Sequence, residues 1–144
     1  MAALTVESQF SAQLGTTAVP DLLKYGVKAA SKILLGALAC IDTATGYAVK
    51  GSTATTLKAI GRAEETADNL TGASGDIKVL VRKGIFRFNN SAAGDLIALT
   101  EIGTDCYIVD DQTVAKTSGG ATRSVAGKVE LVDSDGVWVR VGVY

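Results

Sequence analysis

The residues of this chain that could do chemistry are two cysteines, a few acidic clusters and one glycine–lysine pair. None of them reads as a reactive constellation. The 144 residues include no histidine, which removes His-based triads, imidazole general bases and most zinc sites together. Cys40 and Cys106 lack a second Cys or His at ligand spacing, and a thiol without a neighbouring base is a weak candidate nucleophile. Asp110-Asp111 has the charge for a hard cation, but adjacent residues on an extended chain point apart, so the pair reads as a turn. Asp133-Ser-Asp-Gly136 resembles part of a calcium loop without its third acidic position or distal Glu. Gly127-Lys128 fails the phosphate-loop spacing, and Glu64-Glu65 reads as a solvated strand end. The expectation is no catalytic, cofactor-binding or metal-ligating residue, hence no enzyme. The rival is an enzyme working with carboxylates alone, Asp110 or Asp111 as acid or base, which requires a cleft and shifted pKa values.

The elements that position these residues are best defined at the C-terminus. Arg123 to Val143 reads as one antiparallel hairpin, two apolar-alternating runs around Asp133-Ser-Asp-Gly136. Val125, Val129 and Leu131 occupy odd positions, as do Val137, Val139, Val141 and Val143. Residues directly opposite share a face, so odd pairs with odd. A three-residue loop, Ser134-Asp135-Gly136, with Gly136 left-handed in a bulge, meets that condition. It sets Asp133 opposite Val137, Leu131 opposite Val139, Val129 opposite Val141 and Glu130 opposite Arg140. Trp138 then shares a face with Arg140 and Tyr144, types enriched at interfaces, which makes these three candidate oligomer contacts.

Composition indicates a single mainly β domain, a compact sandwich or barrel-like body with short helical turns and an extended N-terminal arm. The apolar fraction is 47%, aromatics are few, Gly occurs 16 times and Pro once, a mix suited to strands and many turns. Net charge is −1 with no polybasic run, which argues against nucleic-acid binding. The longest apolar stretch, Ile33 to Ile41, is too short to span a bilayer. No export signal is apparent, so Cys40 and Cys106 are expected unpaired and buried.

Along the chain, Met1 to Val19 reads as an arm carrying Leu4, Val6, Phe10 and Leu14, apolar residues that a partner could cover. Asp21 to Lys32 suggests a short helix, and the arm is bounded at residue 27, with the β-rich body over 28–144. Ile33 to Ile41 reads as a buried strand, Tyr47 to Lys50 and Leu57 to Ala67 as further strands. Ile77, Val79 and Val81 are odd while Phe86 and Phe88 are even, which predicts a β-bulge at Lys83-Gly84. Thr100 to Gly103 reads as one helical turn, Cys106 to Val109 and Thr113 to Ala115 as short strands. At an offset of 66, Lys50, Ser52, Thr56, Gly61 and Glu64 match Lys116, Ser118, Thr122, Gly127 and Glu130, and Arg62 matches Lys128. The echo predicts two similar β-motifs in one sheet system.

Four segments carry a resemblance: GALACIDTATGY (Gly36–Tyr47), VRKGIF (Val81–Phe86), GTDCYIVDDQTVAK (Gly103–Lys116) and SVAGKVELVDSDGVWVRV (Ser124–Val141). In this order and spacing the chain resembles the capsid cement, or head decoration, proteins of tailed bacteriophages, over roughly Lys28 to Val143. The resemblance implies a β-rich domain that forms a homo-oligomer, a trimer. It also implies binding to the major capsid protein on the outside of the head, in a virion assembled in the host cytoplasm. It brings no catalytic residue, cofactor, nucleic-acid or membrane partner. A tail-tube or joining subunit is the alternative within virion proteins. Deleting Met1 to Thr17 is expected to leave folding intact and weaken attachment to the shell.

Overall fold

The computed structural model of the protein describes residues 21–143. The candidate contacts Leu4, Val6, Phe10, Leu14 and Tyr144 lie outside them. Twelve strands are formed among the described residues: β1 (Leu22–Gly26), β2 (Ser31–Ile33), β3 (Leu38–Asp42), β4 (Ala48–Lys50), β5 (Leu57–Ala63), β6 (Ala67–Asn69), β7 (Lys78–Arg82), β8 (Gly84–Phe88), β9 (Asp105–Ile108), β10 (Val114–Ala115), β11 (Val125–Asp133) and β12 (Gly136–Val141). Two 3-10 turns, Ala93–Asp95 and Leu99–Glu101, complete the regular structure. The fold is mainly β, as composition predicted.

The strands form two five-stranded sheets, ordered β1-β7-β5-β3-β4 and β8-β12-β11-β9-β10, plus the pair β2-β6. The second order is the first repeated strand for strand. After β1, Val27 makes a lone parallel bridge to Ala48; after β8, Asn89 does the same to Thr113. Gly61 on β5 and Gly127 on β11 each face a partner backbone so closely that a Cβ would lie 2.2 Å from the Arg82 carbonyl oxygen in one case and 2.0 Å from that of Arg140 in the other. Arg62 stands opposite Arg82, and Lys128 opposite Arg140. Each like-charged pair is relieved by the Glu two residues beyond the first: Glu64 lies 2.9 Å from Arg62 and 3.3 Å from Arg82, and Glu130 lies 3.0 Å from Arg140. The echo at offset 66 is therefore a repeat of structure, arranged as two sheets instead of one.

Each repeat has its own interior. Val27, Ile33, Ala39, Ala63, Val79 and Val81 fill the first; Phe86, Phe88, Ile108, Val129, Val137 and Val139 fill the second. Leu38, Cys40 and Ala59 of the first sheet also pack into the second interior, so β3 and β5 are covered on both faces. Full burial of each valine contributes about 1.5–3 kcal/mol. Ser124 ties the repeats together, its hydroxyl donating to the Ala54 carbonyl at 2.7 Å and accepting the Leu57 N–H at 3.1 Å.

Several expectations are corrected. Asp21 to Lys32 is no helix: Leu22 to Gly26 pair with Arg82 to Lys78 along the edge of the first sheet. Residues 22–26, expected in the arm, are therefore the edge strand of the first sheet. Ile33 to Ile41 is not one strand, because Leu34 to Gly36 turn outward between β2 and β3. Leu57 to Ala67 likewise divides into β5 and the start of β6. The odd-to-even change at Lys83-Gly84 is no bulge. The chain leaves the first sheet at Arg82 and enters the second at Gly84, so Val79 and Val81 fill the first interior while Phe86 and Phe88 fill the second.

The terminal hairpin pairs differently from the expected register. Asp133 faces Gly136, Val132 faces Val137 and Leu131 faces Trp138; beyond an irregularity between Val129 and Leu131, Val129 faces Val139 and Lys128 faces Arg140. The loop has two residues because the Asp133 carboxylate accepts the N–H groups of Asp135 (2.8 Å) and Gly136 (3.0 Å), closing it tightly. Glu130 is the extra residue, yet it still reaches Arg140. A second irregularity lies between Val125 and Gly127. With two phase changes, β11 turns Ala126, Val129 and Val132 toward the core and leaves Val125 and Leu131 exposed. Gly136 has φ of +156°, positive as expected but not in the compact left-handed well. Its glycine is required by β8, since a Cβ would meet the Phe88 carbonyl oxygen at 2.4 Å.

Candidate functional site

The surface that gathers the sequence candidates is the outer face of the second sheet. Because side chains alternate along a strand, the inward valines of β12 leave Trp138 and Arg140 outward, beside Ile85 and Arg87 of β8. Leu131 lies across from Trp138, and Lys128 across from Arg140. The charges are matched in place: Arg140 to Glu130 at 3.0 Å and Lys128 to Asp105 at 2.7 Å. The Trp138 indole N–H donates to Asp133 at 2.9 Å, and the Arg87 guanidinium sits 5.9 Å from the ring centroid. These contacts tie the half-buried indole to Asp133 and Arg87, across from Leu131. An aromatic–arginine–leucine surface held this way suits protein contact.

The other candidates are structural. Asp110 accepts the Gln112 N–H at 2.9 Å in the β9–β10 turn, as expected. Asp133 closes the terminal hairpin. Among the described residues no three Cys, Asp or Glu converge as a metal-ligand set. An open groove of about 570 Å³ runs along the junction of the repeats, past Leu57, Lys58, Arg123 and Val125. No carboxylate lines it.

Three carboxylates titrate below their ordinary value of 3.8. Asp42 is lowered by a hydrogen bond from Lys28, Asp95 by the Thr117 hydroxyl and then Arg123, and Asp133 by the Trp138 indole and the Asp135 N–H. A carboxyl whose pKa is lower folded than unfolded stabilises above the unfolded value and loses that contribution as pH falls through the folded one. Stability should therefore be level near neutrality and fall below about pH 4. Urea midpoints between pH 7 and 2.5 measure this; stability rising on acidification contradicts it.

Cys40 and Cys106 are fully buried and unpaired. Burial pushes both thiols up to about 12, and the Cys106 Sγ lies 3.6 Å from the Gly127 carbonyl oxygen. Thiolate is the reactive form, so the folded protein should leave a chromogenic disulfide reagent unreacted at pH 8, while two equivalents titrate in guanidinium. Rapid reaction of the native protein contradicts the placement.

The sequence reading missed two exposed apolar turns, Leu34-Leu35 before β3 and Leu99 with Ile102 before β9. Their common mark is a glycine at the same turn position, Gly36 and Gly103, an offset of 67. The strand identities align at 66, so the two signals do not superpose. No protein-family model matches the chain, and neither a curated protein nor a solved structure matches it.

Proposed function

We propose that this protein is a capsid cement protein of a tailed phage, attached to the outside of the expanded head and holding neighbouring major-capsid subunits together. The observation that carries the reading is the ordered resemblance of four segments to that family. In the fold these segments supply β3, the crossing from β7 to β8, the β9–β10 turn and the β11–β12 hairpin. The protein acts as a homo-oligomer, a trimer, with Trp138 and Arg140 facing a neighbouring copy. A protein that binds only the assembled shell shifts the equilibrium toward the intact state. Weak contacts joined in one oligomer add through avidity, so no single tight site is needed. Such a role calls for no catalytic group.

The test is co-sedimentation of purified protein with empty heads before and after expansion. The reading expects saturable binding to expanded heads, little to unexpanded ones, and a soluble trimer in sedimentation equilibrium. Protein that polymerises alone into rings or tubes favours a tail-tube or joining subunit, and absence of binding to expanded heads overturns the proposal.

A further inference from the structure

Leu34-Leu35-Gly36-Ala37 and Glu101-Ile102-Gly103-Thr104 are the same turn occurring once in each repeat. In both, the fourth residue's N–H donates to the first residue's carbonyl at 3.0 Å. The glycine N–H donates into the neighbouring strand, from Gly36 to Ala63 at 2.8 Å and from Gly103 to Val129 at 2.7 Å. Ala63 and Val129 return hydrogen bonds to Ala37 (2.9 Å) and Thr104 (3.0 Å). The glycines have φ of +91° and +90°, and Ile102 has φ −56°, ψ 128°, the values of a type II turn. That turn needs glycine at its third position and accepts proline or a polar residue at its second. The second position is nevertheless apolar in both repeats and exposed, Leu35 at 65% and Ile102 at 45%. Each has an exposed leucine near it, at different positions: Leu34 (52%) is the first residue of its turn, where the second turn has Glu101, and Leu99 (64%) lies two residues before that turn. Neither the turn nor the core accounts for these side chains.

These bonds hold the backbone of both turns, so the ordering cost of binding falls on the side chains alone. Their surroundings are acidic. Asp111 borders the same hollow as Leu34 and Leu35, and Glu101 is the first residue of the second turn. Neither carboxylate is in an ion pair among the described residues.

We propose that Leu35 and Ile102, each with a further exposed leucine near it, are equivalent anchors for two like pockets, apolar with a basic rim, offered by neighbouring copies of one repeating protein. The inference rests on the capsid reading, in which the shell presents the same pocket many times. Equivalent anchors on one chain fit a partner that repeats, and the acidic surroundings set the sign of the rim. The four side chains cover only part of the ~800 Å² per partner of a stable interface, so they are its anchors and not its whole extent.

The experiment is titration of empty expanded heads, from the phage that encodes the chain, with wild type, Leu35→Lys, Ile102→Lys and the double variant. Each single substitution should weaken binding about tenfold or more, a factor of ten being about 1.4 kcal/mol. The two losses should be similar and the double loss at least their product, with thermal unfolding unchanged. Alanine at the same positions decides the matter if lysine disturbs the fold. A double variant that binds like wild type overturns the inference alone, as does a loss confined to one turn. Wild type that fails to sediment with the heads overturns the capsid reading and this inference together.

Discussion

Gly127→Ala should lower stability by about 3 kcal/mol, roughly 10 °C in Tm, although it adds a single methyl group to a strand. The new Cβ would lie 2.0 Å from the Arg140 carbonyl oxygen and 3.0 Å from Val139 Cγ1. The obstacle is the backbone of β12, held by β11 on one side and β8 on the other, so it cannot move aside as a side chain would. Gly61→Ala should cost at least as much. There the Arg82 oxygen is at 2.2 Å and Val81 Cγ1 at 2.7 Å, and φ of +154° adds strain for any L side chain. Gly94→Ala is the control: nothing lies within 4 Å of its Cβ position and its φ is unremarkable, so it should stay within about 0.5 kcal/mol of wild type. Thermal and urea unfolding of the three variants measure the contrast. Equal stabilities would refute the close strand approach and, with it, the equivalence of the repeats.

The second large effect is expected at Asn69. This buried side chain on β6 donates through Nδ2 to the carbonyls of Val27 (3.1 Å), Lys28 (3.2 Å) and Ala73 (2.9 Å). It ties the end of β6, the strand that pairs with β2, to the segment leaving β1 and to the loop before β7. Asn69→Ala removes all three bonds; Val27 and Ala73 keep the N–H groups of Gly75 and Asp76 as donors, but the link to Lys28 is lost, and the change should cost about 1–3 kcal/mol. Asn69→Asp should cost more, because it aims a carboxylate at those oxygens in a site with little water. Equilibrium unfolding supplies the order wild type, Ala, Asp. An Asp variant as stable as wild type would contradict the bonding pattern.

The turns were the most legible part of the chain, because their residues act locally. Asp110 to Gln112 and Asp42 to Gly46 needed only turn chemistry to be placed, whereas at Asp133 to Gly136 the turn falls where expected but its loop is one residue shorter. The hairpin register was not legible. A single apolar phase implies odd-with-odd pairing, whereas β11 changes phase twice and buries residues three apart. The parity change at Lys83-Gly84 carried a correct signal with the wrong cause, since parity alone cannot distinguish a bulge from a strand that changes sheets. Ile33 to Ile41 misled for a related reason: Leu34 and Leu35 have core composition but sit on a turn whose backbone is fixed by Ala63 and Thr66. Of the candidate contacts within the described residues, Trp138 and Arg140 do share one outward face. Leu35 and Ile102 escaped notice because an exposed leucine on a turn has no periodic pattern to reveal it.

The measurement closest to the central claim is electron cryomicroscopy of empty expanded heads incubated with the purified protein, beside heads left bare. The proposed function predicts added density on the outer surface, matching the two five-stranded sheets and contacting more than one major-capsid subunit. If the paired turns are the anchors, Leu35 and Ile102 meet like surfaces of neighbouring subunits in the same map. Identical maps with and without the protein, or density confined to the portal and tail, would contradict it.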